Sequence, residues 1–313
     1  MLSYAFKRLA RSGLSLLIII TIVFILLRQM PVEGYFPDYD NMTPEAIHNA
    51  LENMGLNDPI TTQLGRFYKD LARGDLGLSA RYRVNYPIGK LIAQKAPLSL
   101  AFGGTAMLIG LPLGLTLGAL MAWRKGKLID KFGTVYIVLM QSIPLMVTYL
   151  IIQLFFTSAL KIPMLYSSGN PRTWVLPMLT LSLPTISNYA LWMRRYMVDE
   201  SNRDYITLAR AKGTPNHIIW FKHILRNAIV PLVQLIPTSF MATLSGSIYV
   251  ESLYSIPGMG GLLVDVIKRQ DNTMVQALVV IFAAVSILGL LFGDLLMGLV
   301  DPRISLTKKE GAR

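Results

Sequence analysis

Six stretches of the chain stay apolar long enough to suggest membrane-crossing helices: residues 12–27, 96–123, 132–160, 173–193, 227–250 and 272–293. Most reach the roughly 20 residues that a helix needs to cross about 30 Å of hydrocarbon. The first is short, and Arg28 at its end would reach outward to the interface. The second and third contain Pro112 and Pro144, yet neither has room for two crossings and a turn, so each is expected to be one helix. Lys7, Arg8 and Arg11 before the first window resemble the basic start of a secretory signal. No small-x-small cleavage pattern follows Leu27, so an uncleaved span is expected.

The polar segments between these windows differ in kind. Residues 29–95 form the one sizeable segment outside the membrane. Thr43 followed by Pro44 is a helix-start signal, with apolar positions at Ala46, Ile47, Ala50, Leu51 and Met54. Gly55-Leu-Asn-Asp-Pro59 interrupts, and a second amphipathic helix is expected over 60–71. The stretch 251–261 carries Pro257, Gly258, Gly260 and Gly261, which are expected to forbid a continuous helix, with a short helix over 262–269 after it. Backbone breaks at membrane depth are tolerated where they line a cavity or lie within protein.

Composition agrees with this pattern: 53% of residues are hydrophobic, only 15% are charged, and the mean hydropathy is +0.47. Such a chain is a polytopic membrane protein rather than a soluble domain. With the N-terminus inside, the cytoplasmic segments hold 18 of the 30 basic residues and 6 of the 18 acids. The whole net charge of +12 then lies on that face, as the positive-inside rule requires. The charge therefore reports topology, and no basic run interleaved with aromatics suggests nucleic acid. Cysteine is absent, which excludes disulfides, thiolate metal sites and a cysteine nucleophile.

The densest positive charge lies in Asp204-Tyr-Ile-Thr-Leu-Ala-Arg-Ala-Lys-Gly213 and the residues that follow, up to Ala228. Gly213 is a stop signal, Thr214 a cap and Pro215 a first helical residue, so two short helices are expected to meet at a corner. Small residues at Ala209, Ala211 and Gly213 permit close approach of another surface. Arg203, Arg210, Lys212 and Lys222 around them suit an acidic rim.

This stretch is similar to the coupling loop of ABC-importer permeases, in the form Ala-Arg-Ala-Lys-Gly followed by His223-x-Leu-Arg226-Asn-Ala. Together with Gly55-Leu-Asn-Asp-Pro, Gly74-Asp-Leu-Gly-Leu-Ser, Pro87-Ile-Gly-Lys-Leu-Ile, Ser255-Ile-Pro-Gly-Met-Gly-Gly and Asp301-Pro-Arg-Ile, it resembles the first-type permease subunit of oligopeptide and dipeptide importers over nearly the whole chain. Thr207 and Arg226 replace the Glu and Pro of the general permease pattern, as is usual in the peptide branch. The resemblance implies an all-α fold of six transmembrane helices of the type I importer, with both termini cytoplasmic and one larger external loop domain. Its parts would be 1–30, the loop domain 31–95, a permease core 96–300 containing the coupling loop 197–228, and a cytoplasmic tail 301–313. The implied partners are a second homologous permease, two cytoplasmic ATP-binding subunits, an extracytoplasmic solute-binding protein, peptide substrate and membrane lipid. ATP and magnesium would sit on the partner subunits. Coupling residues would be Asp204, Ala209, Arg210, Ala211, Lys212, Gly213, His223 and Arg226. An external gate or binding-protein contact would involve Glu251, Pro257, Gly258 and Gly260.

The chain carries no G-x-x-x-x-G-K-[ST] and no H-E-x-x-H, so neither a phosphate-cradling loop nor a metal-hydrolase site is expected, and it is not an enzyme. Energy must come from a partner ATPase or from an ion gradient. The second source would make this a secondary transporter with essential intramembrane acids. Glu251 reads either as an interfacial charge or as a gate hydrogen-bonding partner, and Asp294, in the last span, as an ion-pairing residue ahead of a proton relay. Gln141, Ser142, Gln153, Asn188 and Tyr189 suit either a wet path or interhelical hydrogen bonds. Within the importer reading, nickel chelate, glutathione or another small solute are alternatives to peptide.

Overall fold

A computed structural model describes residues 2–300, and the tail expected at 301–313 lies outside them. Helix α1 (Leu2–Arg28) is followed by α2 (Pro44–Asn53) and α3 (Ile60–Ala72). A two-residue antiparallel pair, β1 (Leu78–Ser79) with β2 (Tyr86–Pro87), leads into α4 (Ile88–Trp123). Then come α5 (Leu128–Ser142), α6 (Leu145–Leu160), α7 (Val175–Ser201) and α8 (Asp204–Ala211). The segment after α8 is α9 (Asn216–Ile218), a π-helical run Ile219–Leu225 and α10 (Arg226–Ala228). Helices α11 (Val230–Leu253), α12 (Met259–Lys268) and α13 (Asn272–Val300) complete the described residues.

Packing groups the chain into two units. Among the described residues, one holds 2–6, Leu100–Ile256 and 289–300; the other holds Lys7–Ser99 and Pro257–Leu288. Sequence order does not show this grouping, because residues some 200 positions apart share the second unit.

In the first unit, α4 and α7 pack at backbone distance. Gly110, Gly114 and Gly118 form a four-residue ladder on α4. A Cβ at Gly118 would lie 2.5 Å from the Ala190 carbonyl oxygen, and one at Gly114 would lie 2.7 Å from the Tyr189 Cβ. Lipid offers apolar side chains no hydrophobic drive to associate, so membrane helices gain contact by removing side chains at the crossing. Tyr189, Met193 and Met197 of α7 join Ile206, Ile219, Ile224 and Leu232 in the main buried cluster. The outward surfaces of α1, α5 and α6 remain strongly apolar, as at Leu14, Ile18, Phe132, Val138, Ile151 and Phe155. A soluble surface does not carry such continuous apolar faces.

The third apolar window is not the single helix expected. It breaks into α5 and α6, bent by 115°. Pro144 drives its predecessor out of the helical region, and Ile143 is extended at φ −92°, ψ 135°. At about 1.5 Å per residue, each half is about 22–24 Å long, short of the hydrocarbon thickness. Among the described residues, three helices are individually long and apolar enough to cross: Phe6–Arg28, Ile88–Trp123 and Asn272–Leu296. Each of two bent pairs adds one more if it counts as one span. The window at 173–193 falls in α7, which continues through Pro184 into the charged residues Arg194–Glu200.

The second unit is built on α2, α3, the β pair, α12 and the start of α13. Thr43 caps α2 as expected, its hydroxyl accepting the Ala46 N–H at 3.3 Å. Its core joins Ile88 and Leu91 to Met259, Leu262, Val266, Met274 and Leu278. The post that holds the loop is Asp271, fully buried. Its Oδ2 accepts the Ser79 hydroxyl at 2.6 Å and the Arg81 and Tyr82 amides at 2.9 Å each. Its Oδ1 accepts the Met274 amide at 3.1 Å, capping α13. Burial pushes this carboxyl up, but the hydrogen bonds outweigh it and hold it below the ordinary carboxylate range.

Candidate functional site

The corner at Gly213 is built by local rules. The Thr214 amide bonds the Ala209 carbonyl at 3.1 Å and the Gly213 amide bonds the Arg210 carbonyl at 2.9 Å, which is the Schellman closure of α8. The closure needs a left-handed residue, and Gly213 sits at φ +76°. The restart differs by one residue from expectation. Pro215, at φ −56° and ψ 137°, is the cap rather than the first helical residue, and no side chain caps α9. Its carbonyl takes the amides of Ile218 and Ile219, so Thr214 is spent on closing α8.

Three buried isoleucines, Ile206, Ile219 and Ile224, anchor the elbow to the main core. Asp204, Arg210, Ala211, Lys212, Gly213 and Arg226 are exposed, while Ala209 and His223 are half-buried. The expected coupling residues thus share one elbow whose outer face is basic and small. A Cβ at Gly213 would meet no atom within 4 Å. Leu208 and Phe221 are also exposed on this elbow, at 55% and 57%, and give it an apolar contribution that the charge pattern conceals.

Tyr205 ties the elbow to its neighbours. Its hydroxyl donates to Glu200 Oε1, and the Asn227 side-chain amide donates to Tyr205 Oη at 2.7 Å. Desolvation and the adjacent Glu200 push the phenol up, so it remains a neutral donor. A second staple was not evident from sequence. Arg194 grips Asp130 with two bonds, Nε to Oδ1 at 2.5 Å and Nη2 to Oδ2 at 3.0 Å, and the Gly126 amide adds a third donor to Oδ2 at 2.8 Å. The signal was only that opposite charges lie on two segments assigned to the same face. The seven-residue π run carrying Lys222 and His223 likewise leaves no mark in the sequence. A π run demands no residue type that a sequence reveals.

The residues expected at an external gate divide. Pro257 is exposed, but Gly258 and Gly260 are buried. The break is confined to Tyr254–Gly258, and Gly260 and Gly261 lie inside the first turn of α12, contrary to expectation. Glycine in a helix costs only about 1 kcal/mol, which packing offsets. The start of α12 is capped from α4, with the Ser99 Oγ accepting the Met259 amide at 2.7 Å. Glu251 is fully buried and takes a hydrogen bond from Ser247 at 2.6 Å, which rules out an interfacial charge. Asp294 accepts the Gln234 side-chain amide at 3.2 Å. Of the polar span residues, Gln153 is buried and donates to the Leu253 carbonyl at 3.3 Å, whereas Gln141, Ser142 and Asn188 are exposed.

Comparison with known proteins places this geometry. The family described as "Binding-protein-dependent transport system inner membrane component" matches residues 114–306. The dipeptide transport system permease protein DppB of Lactococcus lactis is 31% identical, over 98% of this chain and 100% of its own length. DppB of Bacillus subtilis is 32% identical, over 99% and 100%. The oligopeptide transport system permease protein OppB of Salmonella typhimurium is 30% identical, over 97% and 99%. A crystal structure of an amino acid ABC transporter with histidines shares the fold at a TM-score of 0.54 and 20% identity, covering 69% of this chain and 95% of its own.

Proposed function

Because this chain belongs to the binding-protein-dependent transport system inner membrane components, we propose that it forms half of the translocation path of an ATP-driven peptide importer in the cell membrane. A second homologous permease supplies the other half. Two cytoplasmic ATPases drive the pair, and an extracytoplasmic binding protein delivers the peptide. Six crossings, with α5 and α6 together as one broken crossing, put both termini and the elbow in the cytoplasm and the loop domain outside. ATP and magnesium belong to the partners.

The observation that carries this reading is the elbow. Its inner face is fixed by three buried isoleucines and its outer face is small, basic and open. Such a body transmits a push as a unit, because packed cores move discretely rather than deforming. Access then alternates as the ATPases close and open, each nucleotide state favouring one arrangement of the bundle.

Gly213 provides the test. A Trp there meets no atom of the chain at its Cβ, though the left-handed backbone strains it, and it blocks a facing groove. An Asn tolerates the left-handed backbone and projects little. G213W, purified with its partners, is expected to lose peptide-stimulated ATP turnover, and G213N to retain most of it. Wild-type coupled uptake by G213W would refute the coupling role.

A further inference from the structure

Two hollows of the first unit meet at Trp123, the last residue of α4, a helix long and apolar enough to cross a membrane. One is a groove of about 430 Å³ between α4, α7 and the π run, and no charged residue lines it. Ala119, Met193 and Met197 lie along it. At its mouth Trp123 stacks beside Trp220 at 6.5 Å and meets Phe221 edge-on at 5.7 Å. Trp123 is still 45% exposed there. The other hollow, about 780 Å³, lies along Arg124, Lys125 and Lys127 and continues to Leu128 and Phe132.

The three bases are clustered and unmatched. Gly126, at φ +78°, turns the chain, and the Lys127 amide bonds the Arg124 carbonyl at 2.9 Å. All three side chains are exposed. Asp130, the one acid within residues 123–132, is buried and already taken by Arg194 and the Gly126 amide. It acts on Lys125 only at a distance. No carboxylate forms an ion pair with Arg124, Lys125 or Lys127 among the described residues.

The positive-inside rule explains bases in a loop, but not an apolar groove opening beside them. Tryptophan at the end of a crossing helix marks the headgroup level of the bilayer. From Trp123 back to Leu115, the far end of the groove on α4, is about 12 Å along the helix axis. The groove therefore starts at headgroup level and runs into hydrocarbon, while the bases face the headgroups.

We propose that this site binds one anionic phospholipid, its phosphate on Arg124, Lys125 and Lys127 and an acyl chain in the groove between α4 and the π run. The charge complementarity selects the occupant: basic pockets between membrane helices hold anionic headgroups, and the apolar half already lies at acyl-chain depth. The groove falls within the roughly 300–1,000 Å³ of small-molecule sites. Because Trp220 and Phe221 belong to the elbow, a chain seated there braces the elbow against α4. The membrane setting comes from the family, and the site does not depend on peptide being the cargo.

The test is native mass spectrometry of the full chain, delipidated in detergent and titrated at low salt with phosphatidylglycerol or phosphatidylcholine, alone and with its co-purified partners. Each base near an anionic group contributes about fivefold in affinity. Phosphatidylglycerol is therefore expected to bind at least about tenfold more tightly than phosphatidylcholine. R124Q/K125Q/K127Q is expected to abolish that preference. T116F, which fills the groove from an exposed position, is expected to weaken phosphatidylglycerol several-fold. Thermal melts separate lost binding from lost fold, and the triple variant, confined to exposed loop residues, guards against a misfolded T116F. Equal binding of the two lipids by the wild type, or undiminished phosphatidylglycerol binding by either folded variant, would overturn the proposal. So would loss of the bound lipid once the partners are present, which would make the groove a protein interface. Each of these failures leaves the Gly213 experiment, which reads ATP turnover, untouched.

Discussion

Replacing Asp271 by Ala removes one side chain and orphans four donors: the Ser79 hydroxyl and the amides of Arg81, Tyr82 and Met274. At about 1–3 kcal/mol for each buried donor left unmade, and with water entering the gap to serve some of them, the net cost is about 3–5 kcal/mol. The damage is local, so the readout is hydrogen exchange in the hairpin rather than a global melt. The Asn85 amide bonds the Ser79 carbonyl and the Ile88 amide bonds the Gly77 carbonyl, neither touching Asp271. Their exchange reports opening of the whole loop. At about 1.4 kcal/mol per tenfold, 3 kcal/mol means exchange at least about 100-fold faster in D271A. D271N keeps an oxygen for the three donors on Oδ2 and turns an NH2 toward the Met274 amide, so its acceleration is expected to fall between wild type and D271A. The pH dependence follows from the carboxyl's depressed folded pKa. Its contribution is complete above the ordinary carboxylate range and is lost as pH falls through the folded value, below 3.8. The gap between wild type and D271A, corrected for intrinsic rates, is therefore flat from neutral pH down to about 5 and closes only in stronger acid. Exchange of Asn85 and Ile88 in D271A within about threefold of wild type would refute the view of Asp271 as the post of this loop.

G114L is expected to fail to accumulate as a stable membrane protein, because a side chain there meets the Tyr189 Cβ at 2.7 Å and the Ile186 carbonyl at 2.8 Å; overpacking of this kind costs about 1–3 kcal/mol or more, and detergent-solubilised yield and melting temperature check it. D130A strands the half-buried Arg194 and is expected to lower the melting temperature, whereas the double replacement D130A/R194A recovers part of that loss, since breaking one partner of a buried pair costs more than removing both. Y205F removes the donor to Glu200 while leaving the ring, and is expected to reduce coupling of ATP turnover to uptake with little change in stability; an unchanged ratio of the two would mean that the Tyr205 bond is incidental.

The sequence by itself determined the periodic and local features. Uncharged windows marked the helices, because hydrocarbon admits no unsatisfied backbone and few charges. Thr43-Pro44 marked the start of α2, and Gly213 marked the corner after α8, because capping and the left-handed turn depend on neighbouring residues alone. The elbow residues Asp204 to Gly213 were legible for the same reason, lying in one short run. Tertiary structure decided whatever depended on distant partners. A 115° bend at Ile143-Pro144 was hidden because membrane helices often keep a proline when neighbours satisfy the freed carbonyl, and only the surroundings decide between a kink and a break. The burial of Glu251, with its hydrogen bond from Ser247, and the bidentate grip of Arg194 on Asp130 were equally invisible in the chain. Ser79 and Asp271 lie 192 residues apart, and no local pattern announces that a carboxylate there accepts a hairpin from so far along the chain. Packing alone brings such groups together, and it does so because a buried charge is stable only where its donors converge.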